Sequence, residues 1–478
     1  MNAHTKPPPS TNHPPVRMVG GLAGAMVPPL VFIAVLFWLS AAERASISGF
    51  WVGGLAAIVV GLLLARTKRE YAESVVSGVA DRTGAVIIIA FIFAGIFGTF
   101  MSSGGLVDGL LWLGLSTGIQ GAAFTTFVFV LAATFSLGIG SSVGTVTALV
   151  PVLYPAAVFL GADPVMAGLA ILGGAAFGDN LAPISDTTIT SAYTQGATMG
   201  AVVRRRAPLA LVAAAVSLVV LLVFGGGGEV ADASTLESPP SPLGLLMMIP
   251  FAIVIILAVM GRHIIETLVW GSIASIIIGL ATGLLRIGEI FSVPAERGGS
   301  TGLIEDGIAG VAGPVILVLV VLGMTQVLAD TGVMTRLLGV LQKKAAKGVR
   351  SAELLIIGTG VLFTIPLGAN APAILMIGPT IARPLGKAYG LAPERRANLL
   401  DCSVCTVFYM LPWHNAVIVW YGMLIATATE HGLNTPSIWS ALMNPYAWAL
   451  LATIIFSAVT GWNRTYSDTD AVDFAPNR

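Results

Sequence analysis

Long apolar windows alternate with short polar connections along nearly the whole chain. Windows of about 18 to 20 apolar residues recur from Met26 to Trp462, and each is long enough to cross roughly 30 Å of hydrocarbon. Lipid offers the backbone no hydrogen bonds, so such windows form helices or closed barrels, and these are too long for barrel strands. The pattern therefore predicts an all-α polytopic membrane protein with about 10 crossings. The predicted crossings are 25–42, 47–65, 84–103, 165–200, 207–224, 243–260, 264–283, 308–330, 396–428 and 445–462.

Two further segments, 121–160 and 351–382, are predicted helical hairpins, each turning at a glycine-rich interruption. The parity of the crossings requires each of them to return to the side from which it started. Parity does not decide between a re-entrant hairpin and two full spans, so both forms stay open.

The two halves of the chain resemble each other at a nearly constant offset. Pro183 matches Pro412, and Gly161 matches Gly390, each pair 229 positions apart. Several matches at one offset indicate an internal duplication of about 200 residues per half.

The basic residues indicate that the two repeats have opposite orientations. The loop at 66–82 is basic, whereas its counterpart at 286–306 is acidic; 104–122 has no Lys or Arg, whereas its counterpart at 336–350 has five. Cytoplasmic loops are enriched in Lys and Arg, so equivalent loops lie on opposite sides. We therefore predict an inverted-repeat secondary transporter with broken helices and both termini cytoplasmic, in the cytoplasmic (inner) membrane.

The predicted organisation has five segments. The first is a proline-rich, disordered cytoplasmic tail, followed by an uncleaved first helix because no small-residue cleavage site follows the apolar run. A glycine- and proline-rich external linker joins the two repeats. The boundaries are 1–22 for the tail, 23–225 for the first repeat, 226–242 for the linker, 243–463 for the second repeat and 464–478 for a cytoplasmic tail.

Composition narrows the class of partner. Apolar residues make up 56% of the chain and charged residues 10%, far below the roughly 25% charge of soluble domains. The net charge is +0, so we expect no nucleic-acid partner. Cys402 and Cys405 lie in an apolar segment without a second cysteine pair, which favours a structural role over zinc or redox chemistry.

Each half contains two polar interruptions at matching places. They are 140–145 and 178–188 in the first half, and 368–372 and 410–415 in the second. Proline and glycine unwind a helix and release carbonyl and amide groups. Such backbone is tolerated at membrane depth only where it lines a cavity, which is where transporters bind their substrates.

Two aspartates lie in this apolar interior without a basic partner nearby in sequence. No Lys or Arg occurs from Thr83 through Val203, yet Asp179 and Asp186 lie inside that stretch. A carboxylate at such depth is costly unless it is paired, hydrated or functional. A mobile ion, a metal cation or a proton, is its natural partner, which predicts an ion-coupled transporter.

The remaining candidates are the oxygen-bearing residues around the four interruptions, because hard cations such as sodium prefer oxygen ligands. Asp179 and Asp186 are the predicted sodium ligands. The ion- or substrate-binding candidates are Asp179, Asn180, Ser185, Asp186, Thr187, Thr188, Ser141, Ser142, Thr145, Asn370, Trp413, His414 and Asn415.

Each of these assignments has a structural alternative. Asp186 could cap a half-helix starting at Thr187, and Asp179 could be a hydrogen-bonded structural carboxylate. His414 could titrate as a proton site or simply donate to a freed carbonyl. Asp401 is predicted to be structural or near an entrance. The three arginines at 204–206 are predicted to mark topology, with an anionic-lipid contact as the alternative.

The interruptions also resemble a known family. The segment Phe177-Gly-Asp-Asn-Leu-Ala-Pro-Ile-Ser-Asp-Thr-Thr188 resembles the FGDK-x-SPLSDTT signature of the NhaC-type sodium/proton antiporter family, in the ion transporter superfamily. The segments at 140–145 and 393–413 are similar to that family's GTSxGT and PER…IPWN segments, and the likeness covers roughly 50–460. It implies two inverted repeats with hairpins and sodium–proton exchange, although some relatives carry organic anions such as malate and lactate. Asn180 and His414 depart from it, standing where the family usually has Lys and Asn.

The sequence thus predicts a carrier rather than an enzyme, with no cofactor other than the transported sodium or proton. The two ions would compete for one carboxylate, because removal from water favours the protonated form, and alternating access would expose that site to each side. The alternative is a sodium- or proton-coupled carrier of a small organic acid or amino acid, since four half-helix N-termini could hold a carboxylate. Expected partners are the lipid bilayer, a monovalent cation, a proton and, in the alternative, an organic solute; a homodimer is left open.

Two other classes fit less well. An intramembrane aspartyl protease also needs two buried aspartates, but the segment before Asp179 lacks the first glycine of its G-x-G-D pattern, and no Tyr-Asp helix accompanies it. A passive channel is also possible, but the inverted repeat favours a carrier.

Overall fold

The computed structural model describes residues 16–42, 47–80, 82–183, 185–231, 239–260, 262–293, 300–333, 336 and 348–467. The first half is helical apart from two short strands. Its elements are α1 (Leu22–Ala41), α2 (Ile47–Leu64), α3 (Lys68–Val79), α4 (Arg82–Ser103), α5 (Leu106–Thr117), α6 (Gly121–Ile139), α7 (Ser142–Phe159), β1 (Leu160–Ala162), α8 (Pro164–Leu181), α9 (Asp186–Gln195), α10 (Met199–Phe224) and β2 (Gly226–Val230).

The described part of the second half contains ten further helices. A 3-10 turn (Pro242–Met247) leads into its first helix, and a π-helical turn (Gly378–Ala382) continues its hairpin. Its helices are α11 (Met248–Val259), α12 (Ile264–Thr282), α13 (Ile287–Ile290), α14 (Leu303–Asp330), α15 (Val349–Leu367), α16 (Asn370–Ile377), α17 (Arg383–Ala388), α18 (Pro393–Val407), α19 (Asn415–Glu430) and α20 (Pro445–Thr460).

The interruptions fall where the sequence predicts them. Gly140 ends α6 and Gly368 ends α15, with φ of 64° and 63°, a left-handed conformation that glycine adopts without a steric penalty. After each glycine the chain reverses into α7 or α16, which gives the two predicted hairpins. Pro164 and Pro393 each occupy the first turn of the next helix, where proline is favoured. The duplication of the chain and the opposite orientation of its halves both stay predictions.

The helices divide into a buried centre and a periphery. In α7, 83% of the residues are buried, against 33% in the apolar windows of α1 and α10. The exposed positions of the outer helices are apolar, for example Phe37, Trp38, Leu63, Val223 and Phe224, as expected of surfaces that face lipid. Within the described ranges, nine helices are long and apolar enough to span a membrane, or ten if α4 and α5, bent by 54°, form one span.

Close packing against α6 fixes the position of the end of α8. A side chain at Gly174 or Gly178 would collide with the backbone of Phe129 or Ala133 on α6, so only small residues permit this approach. The Ser136 hydroxyl donates to the Ala175 carbonyl at 2.6 Å across the same contact. Asp179, which follows Gly178, is therefore held in position by the close packing of α8 on α6.

Four sequence-based expectations are corrected by this structure. The predicted loop at 66–82 contains α3, whose buried residues (Tyr71, Ser74 and Gly78) lie on one face that packs on α14. Similarly, 104–122 contains α5. The linker at 226–242 begins with β2, which pairs with β1 through its backbone. Finally, Val16 and Met18, assigned to the disordered tail, are buried. Most of 336–350 lies outside the described residues.

Candidate functional site

The two broken helices meet at the centre of the molecule. In the first half the break runs from Ala182 to Ser185, between α8 and α9; Ile184 lies outside the described residues. In the second half it runs from Phe408 to His414, between α18 and α19. Helix α9 packs on α16 and α18, and α19 packs on α7. Elements of one half therefore cross elements of the other at the interruptions.

Asp179 lies in the last turn of α8 and is 4% exposed. Its Oδ2 accepts a hydrogen bond from the Tyr409 hydroxyl at 2.9 Å, and the hydroxyls of Ser142 and Ser185 also interact with the carboxylate. Its Oδ1 has no hydrogen-bond partner among the described residues. The carboxylate is thus surrounded by hydroxyl groups from both halves of the chain.

Asp186 is the first residue of α9, and Ser185 occupies the N-cap position. The N-cap of α9 is therefore Ser185, one residue before Asp186, and not Asp186 itself. Its carboxylate interacts with backbone amides of the first turn of α9 and is close enough to Asp179 for an electrostatic interaction. Asp186 is half-buried, whereas Thr187 and Thr188 are buried. The two acidic side chains thus form a pair at the break, one buried and one partly accessible.

The other first-half candidates lie at the break or in the neighbouring hairpin. Ser141 caps α7 by accepting from the Gly144 amide at 3.2 Å. The Thr145 hydroxyl donates to the Ser141 carbonyl at 2.8 Å, so its hydrogen is used within the helix. The Asn180 amide donates to the Tyr446 hydroxyl at 3.1 Å, while its Oδ1 has no partner in the described part.

The prediction that the three arginines at 204–206 mark topology is wrong for Arg206. Arg204 and Arg205 are exposed, but Arg206 is fully buried and forms an ion pair with Asp401 of α18. It also donates to the Asn180 carbonyl at 2.7 Å and to the Thr188 hydroxyl at 2.9 Å. One guanidinium therefore connects both arms of the first-half break with the second half.

Asp401 is fully compensated by its surroundings. Besides Arg206, its Oδ2 accepts from the Ser191 hydroxyl at 3.0 Å, and its Oδ1 accepts from the Cys405 thiol at 3.2 Å. Cys402 and Cys405 are free and buried, and no group of three or more His, Cys, Asp or Glu in the described ranges could hold a metal ion. The structural interpretation of Asp401 fits this geometry.

The second-half candidates form a separate group around the hairpin glycine, Gly368. The Trp413 indole donates to the Ile365 carbonyl at 2.7 Å, and His414 Nε2 lies 3.3 Å from the same oxygen. The backbone N–H of Asn415 donates to the Gly368 carbonyl at 3.1 Å. Asn370 Oδ1 accepts from the backbone N–H of Ala371 at 2.8 Å. The Phe408 ring packs against the rings of both Tyr409 and His414.

A third buried acidic residue lies away from both groups. Glu353 of α15 pairs with Arg395 at 2.8 Å and with Arg464 at 2.6 Å. Its hydrogen bond holds the pKa of the Arg464 guanidinium above the ordinary value. This cluster joins α15 and α18 to the segment after α20, where Leu391 and Tyr466 form a backbone bridge. Its contacts are those of a structural support.

The structure brings the first-half candidates together, whereas the second-half candidates bond mainly to the backbone near Gly368. Sequence reasoning missed Tyr409 and the role of Arg206. Tyr409 lies one residue before the interruption at 410–415, so a slightly wider window would have included it. The signal for Arg206 was the pair of polar residues Asn398 and Asp401 within the predicted crossing at 396–428, since Arg206 Nε also donates to Asn398 Oδ1 at 2.9 Å.

Comparisons with known proteins cover most of the chain. A sequence profile of the Na+/H+ antiporter family matches residues 16–226 and 233–462. The malate-2H(+)/Na(+)-lactate antiporter of Bacillus subtilis is 26% identical over 311 residues, which are 62% of this chain and 66% of that protein. The putative amino acid transporter YuiF of Bacillus subtilis is 30% identical over 171 residues, 34% of this chain and 36% of that protein. The chain thus spans less than two thirds of each relative.

Solved membrane transporters resemble the chain more distantly. MtrF of Neisseria gonorrhoeae, reported as illuminating a class of antimetabolite efflux pumps, has 16% identity and a TM-score of 0.43, covering 92% of this chain and 94% of that one. The YdaH transporter of Alcanivorax borkumensis has 14% identity and a TM-score of 0.44, covering 91% of this chain and 99% of that one.

Proposed function

The chain belongs to the Na+/H+ antiporter family, and from that premise we propose that it is a secondary active transporter. It exchanges sodium for protons across the cytoplasmic membrane by alternating access. Asp179 and Asp186, at the first-half break, form the site that the two ions share.

One observation carries this proposal. Three acidic side chains are fully buried in the described part of the chain: Asp179, Glu353 and Asp401. Glu353 and Asp401 pair with arginines, whereas no ion pair with Asp179 or Asp186 occurs among the described residues. A buried carboxylate without a fixed cation is stable only when it is protonated or when a mobile cation compensates it. Asp179 is therefore the group best suited to take either ion.

Competition at this carboxylate couples the two fluxes. Removal from water favours its protonated form, so the site binds a proton when the proton activity is high. When the proton leaves, sodium replaces it, with the carboxylates and the Ser142, Ser185 and Thr187 hydroxyls as available oxygen ligands. Because one site holds one of the two ions at a time, neither ion crosses without exchange.

The two repeats, 23–225 and 243–463, rock around the crossed interruptions to expose this site to each side in turn. The packing of α9 on α16 and of α19 on α7 supports this division, since each half supplies walls of the site. The basic residues at 66–82 support a cytoplasmic position for both termini.

The test uses purified protein in vesicles with an internal pH-sensitive dye. A sodium pulse moves protons in the wild type, and Asp186→Asn abolishes this movement while the protein keeps its melting temperature. Asp163→Asn is the matched control: Asp163 caps α8 by accepting from the Met166 amide at 2.9 Å, and asparagine is an equally good cap. Near-normal exchange by Asp186→Asn contradicts the proposal.

A second candidate is a sodium- or proton-coupled carrier of a small organic acid or amino acid. It is favoured by the second-half group, in which His414 Nδ1 and Asn415 Oδ1, at the N-terminus of α19, are buried and have no hydrogen-bond partner among the described residues. The two Bacillus subtilis relatives are described as transporters of such solutes. Uptake of radiolabelled organic acids and amino acids, measured beside sodium-driven proton flux in the same vesicles, separates the two candidates.

A further inference from the structure

Each half of the chain has a short non-helical segment directly after its last helix. In the first half this segment is β2 (Gly226–Val230), and in the second half it is residues 463–467. We name them the first strap and the second strap. Each strap turns back to the residues that precede the broken helix of its own half, so it connects parts that are distant along the chain.

The first strap connects α10 to the first hairpin and to the start of α8. It pairs with β1, which leads into α8, and the Ala231 N–H donates to the Phe159 carbonyl at 2.8 Å beside that pairing. The buried Thr125 hydroxyl, on α6 of the hairpin, donates to the Gly225 carbonyl at 2.7 Å, where the strap begins. Backbone groups and a neutral hydroxyl therefore hold this strap.

The second strap makes the same kind of connection with an ion pair. Tyr466 forms an antiparallel backbone bridge with Leu391, just before α18. Arg464 donates to the carboxylate of Glu353 at 2.6 Å, and Glu353 lies on α15, the first helix of the second hairpin. Glu353 is 228 positions after Thr125, close to the offset of the predicted duplication. The two straps thus attach to comparable places in the two hairpins.

A second arginine extends the connections of the second strap. Arg395, on α18, donates to Glu353 at 2.8 Å and to the Ser457 hydroxyl of α20 at 2.8 Å. The carboxylate of the hairpin is therefore bonded from the broken helix by Arg395 and from the strap by Arg464. Moving the hairpin away from α20 would take a counter-charge from a fully buried carboxylate, which is costly.

We propose that the two straps make the hairpin, the broken helix and the last helix of each half one rigid body, so that neither hairpin opens by itself during transport. The reason is that each strap contacts the hairpin, the turn before the broken helix and the last helix at the same time. This inference rests on the proposed function, in which the two halves rock against each other.

Disulfide bonds test whether each strap stays attached during transport. The backbone hydrogen bonds on both sides of Leu391 and Tyr466 make them a non-hydrogen-bonded antiparallel pair. The Cα atoms of such a pair lie about 4.5 Å apart, within the roughly 4.4–6.8 Å that a disulfide needs. Leu160 and Val230 are the facing pair in the first half. Each pair is replaced by two cysteines, and sodium-driven proton movement in vesicles is measured after oxidation and after reduction.

The rate should be the same in both redox states, because each disulfide joins parts that already move together. Ser74→Cys with Asp330→Cys is the comparison, since these side chains bond at 2.7 Å between α3 of the first half and α14 of the second. Its oxidation should stop exchange, and reduction should restore it. The wild type, whose Cys402 and Cys405 are buried, is the control for the oxidant. Strap disulfides that stop exchange overturn the inference.

Arg464→Gln tests the second strap from the opposite direction. It removes the charge that attaches the strap to Glu353, so the hairpin is no longer carried along with α20. The maximal rate of exchange should fall several-fold at an unchanged KM for sodium. Arg262→Gln is the matched control, because it breaks an exposed pair with Glu266 at 3.6 Å, and it should leave the rate unchanged.

The disulfide between positions 391 and 466 should restore the rate of Arg464→Gln on oxidation, and reduction should remove it again. A rate that stays low after oxidation shows that attachment of the strap is not what Arg464 supplies, and it overturns the inference. If Arg464→Gln fails to fold, the two strap disulfides in the otherwise unchanged protein decide the question.

The pair at positions 74 and 330 separates the two levels of the argument. If its oxidation leaves exchange intact, the halves do not rock, and the proposed mechanism fails together with the inference. If its oxidation stops exchange and the strap disulfides stop it as well, only the inference fails. Where the vesicles take up labelled organic solutes instead of moving protons, that uptake is the readout, so the straps are tested under either candidate function.

Discussion

Asp179 and Asp401 are both buried at the centre of the protein, but their charges are compensated in different ways. Asp401 contacts the guanidinium of Arg206, a serine hydroxyl and a thiol. Asp179 contacts hydroxyl groups, and one of its oxygens has no partner in the described part. A fixed cation keeps a carboxylate ionised, whereas hydroxyl groups can accept or donate as its proton comes and goes.

This difference indicates a structural role for Asp401 and a transport role for Asp179. Arg206 also holds both arms of the first-half break through Asn180 and Thr188, so the Asp401 pair sets the shape of the region in which Asp179 works. The paired aspartate should therefore control stability, and the unpaired one should control exchange.

The largest expected effect is on stability, and it comes from breaking the ion pair between Arg206 and Asp401. Asp401→Asn leaves Arg206 buried without its counter-charge, and breaking a buried pair costs about 3–5 kcal/mol. We expect a large fall in melting temperature in detergent. The double variant Arg206→Gln with Asp401→Asn removes both charges and should recover most of the stability. If Asp401→Asn melts like the wild type, the pair is not a structural support.

The next effect concerns the unpaired side. Asp179→Asn keeps the size of the side chain and removes the charge that would hold sodium. Loss of a supporting ligand alone weakens metal sites about 10- to 100-fold, so loss of this carboxylate should lower sodium-driven proton flux by at least roughly 100-fold. The melting temperature should stay close to that of the wild type. A variant that unfolds instead would assign Asp179 to structure.

The smallest effects come from two serines, one on each side of the comparison. Ser191→Ala removes one hydrogen bond to Asp401 and should cost about 1 kcal/mol of stability without changing the apparent KM for sodium. Ser142→Ala removes one of the hydroxyls around Asp179 and should raise the apparent KM for sodium. Thermal melting and sodium titrations of both variants check this, and a KM that rises only in Ser191→Ala would reverse the assignment.

Local features of the sequence predicted the helices and their interruptions. The apolar windows gave the crossings, and glycine and proline gave the breaks, because both signals act within a few residues. Helix α3 was missed because its buried face is short, and β2 because its glycines pair through the backbone rather than through side chains.

The site was only partly predictable because its key contacts join distant parts of the chain. Asp179 was found from its own improbable position in an apolar stretch. Its partner Tyr409 is 230 positions away, and no local pattern links them. Counting charges identified a basic cluster at 204–206 but did not show which arginine points inward; that depends on the packing of α10 against α18.

The most direct test of shared occupancy is the apparent KM for sodium as a function of pH in vesicles that contain the wild-type protein. If proton and sodium compete for one carboxylate, the KM should fall by about tenfold for each unit of rising pH on the acidic side, at a constant maximal rate. A sodium KM that does not change with pH would contradict a site shared by the two ions.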